Sequence, residues 1–239
     1  MNRSISYLIL FVTTLSLPLS TGCHWQPSHT TVAQRIGNAY GVENFHQVEE
    51  LRYTFNVQLG EKQISRSWGW QPAADRVVFN GSSAQGGPLT YERRTLQAQP
   101  TADLKKVDAW FVNDLYWLLF PFQIAWDATA EVKQESGRHK LPIGPGEAEK
   151  VIVTYPPTGG YTPGDVYELY IDADYRILQW IYRKGGAPEP TRISTWEDQL
   201  RFGPITIALD HQGPDKNFRV WFTDVAVKLA GKQGWIKRQ

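Results

Sequence analysis

The chain has one cysteine, Cys23, and one methionine, Met1, in 239 residues. A single thiol excludes an internal disulfide and leaves no thiolate cluster for a soft metal. The five histidines, at positions 24, 29, 46, 139 and 211, are scattered and form no HExxH pair. No apolar run reaches the ~20 residues that a membrane-spanning helix needs. Neither sign of charge is in excess: 25 Lys and Arg stand against 24 Asp and Glu. That balance excludes the basic patch of a nucleic-acid binder and an electrostatic grip on an anionic membrane surface.

Signatures of catalysis are equally sparse. Ser82, Ser83, Ser136 and Ser194 have no GxSxG setting. The run Gly159 to Gly164 is glycine-rich, but no Lys-Ser/Thr pair follows it, so it reads as a plain loop and not a phosphate cradle. Asp172 and Asp174 fall at a hairpin tip, where carboxylates serve the turn. Glu197 and Asp198 are neighbours in strand-like sequence and point to opposite faces. No catalytic residue, metal or cofactor is expected.

What the chain does have begins at its amino end. Arg3 precedes the apolar stretch Tyr7 to Leu19, and small residues lead to Cys23. This is the charge, apolar core and small-residue order of a secretory signal. We expect residues 1–22 to be a signal peptide, 23–31 a polar tether carrying Pro27, and 32–239 a single domain. The mature chain then has about 217 residues, enough for one sizeable core, and loses only Arg3 among its charges. Ten Trp, eleven Tyr and ten Phe make aromatic residues 13% of the sequence. Such side chains suit a β-rich core, and their surplus suits an apolar binding space.

Periodicity predicts the elements. Val32 to Tyr40 is a short helix stopped at Gly41. Leu51, Tyr53, Phe55, Val57 and Leu59 alternate with polar residues, which makes a strand with one buried face. Further strands are expected at 62–70, 75–80 and 89–96, with a Ser/Gly loop at 81–88, giving an antiparallel meander. From 102 to 120 the period becomes helical, with Thr101 as N-cap, and the segment ends apolar nearly all round at Tyr116 to Phe122. A helix of that kind is buried on both sides. It is expected to cover an apolar space and act as its lid. Strands resume at 128–135 and 149–155, at the hairpin 165–184, and at 191–202, 204–210 and 217–229. The total is ten or eleven strands with no βαβ alternation, so a parallel sheet is not expected.

Two resemblances follow from these residues. Leu19-Ser20-Thr21-Gly22-Cys23 resembles the lipobox of bacterial lipoproteins, with Leu one place early. It implies cleavage before Cys23 and acyl chains attached there. The absence of Asp after the cysteine implies an outer-membrane lipoprotein whose domain faces the periplasm or the cell surface. The layout as a whole resembles the LolA/LolB superfamily, through Val48 to Leu59, Ser67-Trp68-Gly69-Trp70, Asp114 to Phe122, and Leu169 to Trp180 with Asp172. That family implies a mainly β, α+β fold: a curved, half-open antiparallel barrel with a covering apolar helix, whose hollow holds lipid or the acyl chains of lipoproteins. The nearest counterpart of LolB's insertion loop is Gly81 to Leu89, which is more polar than in LolB.

The expected function is non-catalytic binding of an acyl chain or another hydrophobic ligand by a lipid-anchored envelope protein. The candidate ligand-contacting residues are Trp68, Trp70, Phe79, Trp110, Phe111, Trp117, Phe120 and Trp180. The candidate partners are the membrane, reached through the acyl chains on Cys23, and a lipid or lipoprotein ligand. Two alternatives remain: a structural lipoprotein with a filled core, and a carbohydrate-binding module that stacks sugars on open Trp faces.

Overall fold

The computed structural model describes residues 30–81, 87–96, 98 and 101–238. The expected signal peptide, Cys23, most of the tether and the centre of the 81–88 loop lie outside the described residues.

Helix α1 (Val32–Tyr40) starts at Thr31, whose hydroxyl accepts the Gln34 N–H, and stops at Gly41, which takes φ 89°. Its buried face carries Val32, Ile36 and Tyr40. A Cβ on Gly37 would stand 2.7 Å from that of Ala125, so glycine lets this helix lie close against a second one. The Tyr40 hydroxyl accepts the Ile177 N–H at 3.0 Å and ties α1 to the second sheet described below.

The long strand β1 (Val48–Leu59) pairs with β2 (Lys62–Gln71), and β3 (Arg76–Asn80) and β4 (Pro88–Glu92) complete the expected meander. Leu51, Tyr53, Phe55 and Val57 are buried as their alternation predicts, and Leu59 is exposed at the end. β4 stops four residues early because 93–95 form a short helical turn.

Helix α2 (Ala102–Trp126) has Thr101 as N-cap and runs six residues past its expected end. Leu119 departs from helical geometry (φ −124°, ψ 24°), and Pro121 falls in the turn that restarts the helix. A proline is tolerated there because its missing N–H has no intrahelical partner to lose.

The rest is β. Strands β5 (Glu131–Gln134), β6 (His139–Lys140), β7 (Glu147–Thr154), β8 (Val166–Ile171), β9 (Ile177–Arg183) and β10 (Arg192–Thr195) form a second sheet, ordered β10-β9-β8-β7-β5 with β6 on β7. Strands β11 (Glu197–Phe202), β12 (Ile205–Gln212), β13 (Phe218–Leu229) and β14 (Ile236–Lys237) return to the first sheet. Its order is β11-β12-β13-β1-β2-β3-β4, with β14 on β13. Every pairing is antiparallel.

Fourteen strands are thus present among the described residues, against ten or eleven expected. Two of the extra ones are two-residue pairings. The third arises because 191–202 is two strands in different sheets, not one. The chain changes sheet at Trp196, whose N–H donates to the Leu178 carbonyl, and Asp198 takes φ 52° just beyond. The architecture is mainly antiparallel β with one long helix and no closed barrel, an α+β fold of curved sheets.

Both sheets and both helices share one core. Phe111 of α2 meets Trp68 and Trp70 of the first sheet, with ring centroids 5.5 and 5.9 Å apart. Phe120 meets Tyr167 and Trp180 of the second, at 4.7 and 5.1 Å. The helix is therefore enclosed from two sides. Each buried Leu or Phe it contributes stabilises the fold by about 1.5–3 kcal/mol.

Candidate functional site

Where the two sheets diverge, they leave a cavity of about 530 Å³ floored by α2. β1 supplies one wall. Phe55, Val57 and Leu59 share a face because a strand has period two, and the pairings Val57 with Ile64 and Val220 extend that wall sideways. The second sheet supplies Tyr167, Trp180 and Tyr182, and α2 presents Ala109, Asn113, Tyr116 and Trp117. The rim carries apolar side chains as well. Among the described residues, four large hydrophobic side chains are exposed, and three of them, Leu59, Ile64 and Tyr161, line this cavity. That concentration singles out the cavity mouth.

Two buried carboxylates on α2 brace the site. Asp114 receives Arg66 Nε at 2.7 Å and Nη2 at 2.5 Å, the Trp68 indole N–H at 2.9 Å and the Asn113 amide at 3.0 Å. Burial raises its carboxyl above the ordinary value, while those four donors favour the charged form. The paired Arg66 guanidinium lies over the Phe55 ring, 4.9 Å from its centroid. Asp108 accepts from the Tyr91 hydroxyl at 2.9 Å, from Arg93 Nε at 2.8 Å, and from the Tyr161 hydroxyl. Tyr161 belongs to the loop 156–164, whose neck is closed by Gly164 N–H donating to Pro156 O at 2.7 Å. Positive φ at Gly159, Gly160 and Gly164 gives this loop its shape. The segment that reads as a plain glycine loop thus holds an aromatic ring at the cavity mouth.

Comparisons add the following. No protein-family model and no curated protein sequence matches the chain. Among solved structures, it is similar to a DUF1329 family protein from Desulfovibrio piger, with 11% identity, 84% of this chain and 92% of that one covered, and a TM-score of 0.44. It is also similar to a domain from Vibrio parahaemolyticus described as an outer membrane lipoprotein-sorting protein, with 10% identity, coverages of 84% and 93%, and a TM-score of 0.46. Likenesses at this level do not assign a function.

Of the eight residues singled out by sequence, the structure places Trp117 and Trp180 in the cavity wall, their rings 4.7 Å apart. Phe120 stands behind Trp180 in the core. Trp68, Trp70, Phe79 and Phe111 form a separate aromatic stack between β2, β3 and α2, and Trp110 packs on its edge against Phe79. The cavity wall instead includes polar and loop residues that periodicity did not select: Arg66, Tyr161, Lys184 and Arg192. The available signal for Tyr161 was a lone aromatic in a Gly/Pro loop. No local signal marked the three cations.

Other motifs find structural roles. Asp172 Oδ1 accepts the N–H groups of Asp174 and Arg176, both at 2.9 Å, and so shapes the β8–β9 turn. Asp198 pairs with Arg238 at 3.0 Å. Among the described residues, no group of three or more His, Cys, Asp or Glu side chains is placed to hold a metal ion. None of the helices among them is long and apolar enough to cross a membrane.

Proposed function

We propose that this protein binds an acyl chain or a comparable hydrophobic ligand in the cavity between its sheets, without catalysis, as an envelope lipoprotein held by acyl chains on Cys23. The observation that carries the reading is the cavity over Ala109, Asn113 and Trp117, with exposed Leu59, Ile64 and Tyr161 at its mouth. Its volume is within the ~300–1,000 Å³ range of small-molecule sites. Removal of apolar ligand surface from water contributes on the order of 25 cal/mol per Å². A filled interior would leave no such space. A sugar-stacking surface needs several open Trp faces, and among the described residues only Trp126 is exposed.

Ligand exchange runs past the Tyr161 loop and not by departure of α2. Lifting the helix would expose Phe111, Leu115, Leu118 and Phe120 at once, while the loop is held at the mouth by Asp108.

The test is native mass spectrometry of Trp25 to Gln239, with organic extraction of what co-purifies, on the wild-type domain and on Ala109→Trp. Ala109 is an exposed helix position lining the cavity, so the indole fills the space without entering the core. Bound lipid in the wild type and at least ten-fold less in the variant support the reading. A clean apo mass that persists after incubation with envelope lipids overturns it and favours a structural lipoprotein. For the anchor, Cys23→Ser in the full chain should abolish labelled palmitate incorporation and release the protein from the membrane fraction.

A further inference from the structure

Charge is distributed unevenly around the cavity. Arg66 is neutralised by Asp114. Asp165, the carboxylate in the wall, is buried and accepts from the Tyr182 hydroxyl at 3.0 Å and the Gly185 N–H at 2.7 Å. Lys184 and Arg192 differ. Both are exposed, both line the cavity, and neither forms an ion pair among the described residues.

They also converge. Lys184 directly follows β9 and Arg192 opens β10, and the Lys184 N–H donates to the Thr191 hydroxyl at 2.9 Å, pinning the two strand ends together. The Arg192 guanidinium lies over the Phe218 ring, 5.2 Å from its centroid, and donates to the Thr191 carbonyl. Arg192, Phe218 and Leu59 also line a second hollow beside the first. The carboxylate in that hollow, Asp215, accepts the Asn217 N–H at 2.9 Å. An apolar interior thus opens beside two cations that have no carboxylate partner among the described residues.

We propose that the ligand is an amphiphile with an anionic head, a carboxylate or a phosphate, whose chain fills the cavity while Lys184 and Arg192 hold the head at its mouth. This rests on the reading of the cavity as a lipid site and adds the class of the ligand. Arginine and lysine bind both head types, the former through paired N–H donors. A neutral head can accept their hydrogen bonds but gains no charge–charge attraction.

The experiment measures affinity for palmitate, 1-palmitoyl lysophosphatidate and hexadecanol, each below its aggregation concentration at pH 8, by quenching of intrinsic tryptophan fluorescence with competition. Trp117 and Trp180 in the wall make the emission responsive. The wild type should bind at least one anion ten-fold or more tighter than the alcohol, and which anion wins distinguishes a fatty acid from a phospholipid source. Lys184→Gln with Arg192→Gln should bring that anion down to the level of the alcohol measured on the same variant. Equal binding of all three by the wild type, or a preference that survives the double substitution, overturns the head-group assignment and leaves the cavity reading standing. Failure of all three ligands to bind overturns both.

Discussion

The phenol of Tyr161 donates to the carboxylate of Asp108, joining a loop at the cavity mouth to a fully buried position on α2. Asp108 also holds Tyr91 and Arg93, so three segments meet on one side chain. A loop that is largely exposed and rich in glycine is costly to order. Here one hydrogen bond to a buried anion gives it a fixed place.

Tyr161→Phe removes that bond and keeps the ring. A hydrogen bond to a charged group contributes about 1.5–3 kcal/mol net, so release of a fluorescent fatty acid should quicken about ten-fold or more. Stopped-flow dissociation checks this. A release rate equal to the wild type would show that the loop is not on the exit route.

Arg66→Met leaves Asp114 buried with two of its four donors gone. Breaking a buried pair in this way costs about 3 kcal/mol, read as a lower denaturant midpoint. Adding Asp114→Leu should recover most of the loss, because the uncompensated carboxylate is then removed as well. A single variant as stable as the wild type would mean that the pair contributes nothing to the fold.

His211 is completely buried and packs against Trp196 and Trp117, with centroids 4.5 and 5.5 Å away. Its Nδ1 faces the Thr195 carbonyl, which can only accept, so that nitrogen carries the proton. Burial lowers its pKa from 6.5 to about 4. In the unfolded chain the ring takes up a proton at higher pH than in the fold. Stability is therefore fully present above pH 6.5 and falls as the pH drops toward 4, by about 3 kcal/mol at most. Asp114, whose carboxyl is raised, contributes a slope of opposite sign. The difference in unfolding free energy between wild type and His211→Leu, followed from pH 7.5 to 4, isolates the histidine. A difference independent of pH would show that the ring is not held neutral.

The cavity's β1 wall was legible because alternation reports which side of a strand is buried, and Phe55, Val57 and Leu59 continue one face. The aromatic candidates were legible only as buried residues. Trp68 and Trp180 have the same local signature, a tryptophan in alternating sequence, yet one packs in the stack under β2 and the other lines the cavity. What separates them is the position of α2, which covers the first and leaves space beside the second. The length of α2 was misread for a local reason: Pro121 is a helix breaker in an ordinary context, and here it begins a second helical piece after the kink at Leu119.

By itself, the sequence determined the class of the fold. Hydrophobic period, turn residues and N-caps act over a few neighbours, and they specified the meander, the two helices, the β8–β9 hairpin and the lack of catalytic motifs. Only the tertiary structure decided the change of sheet at Trp196 and the enclosure of α2. It also decided the pairing of Arg66 with Asp114 and of Tyr161 with Asp108, and the convergence of Lys184 and Arg192 on one opening. These relationships join residues far apart in the chain, and local periodicity carries no record of which distant partner a buried charge will meet.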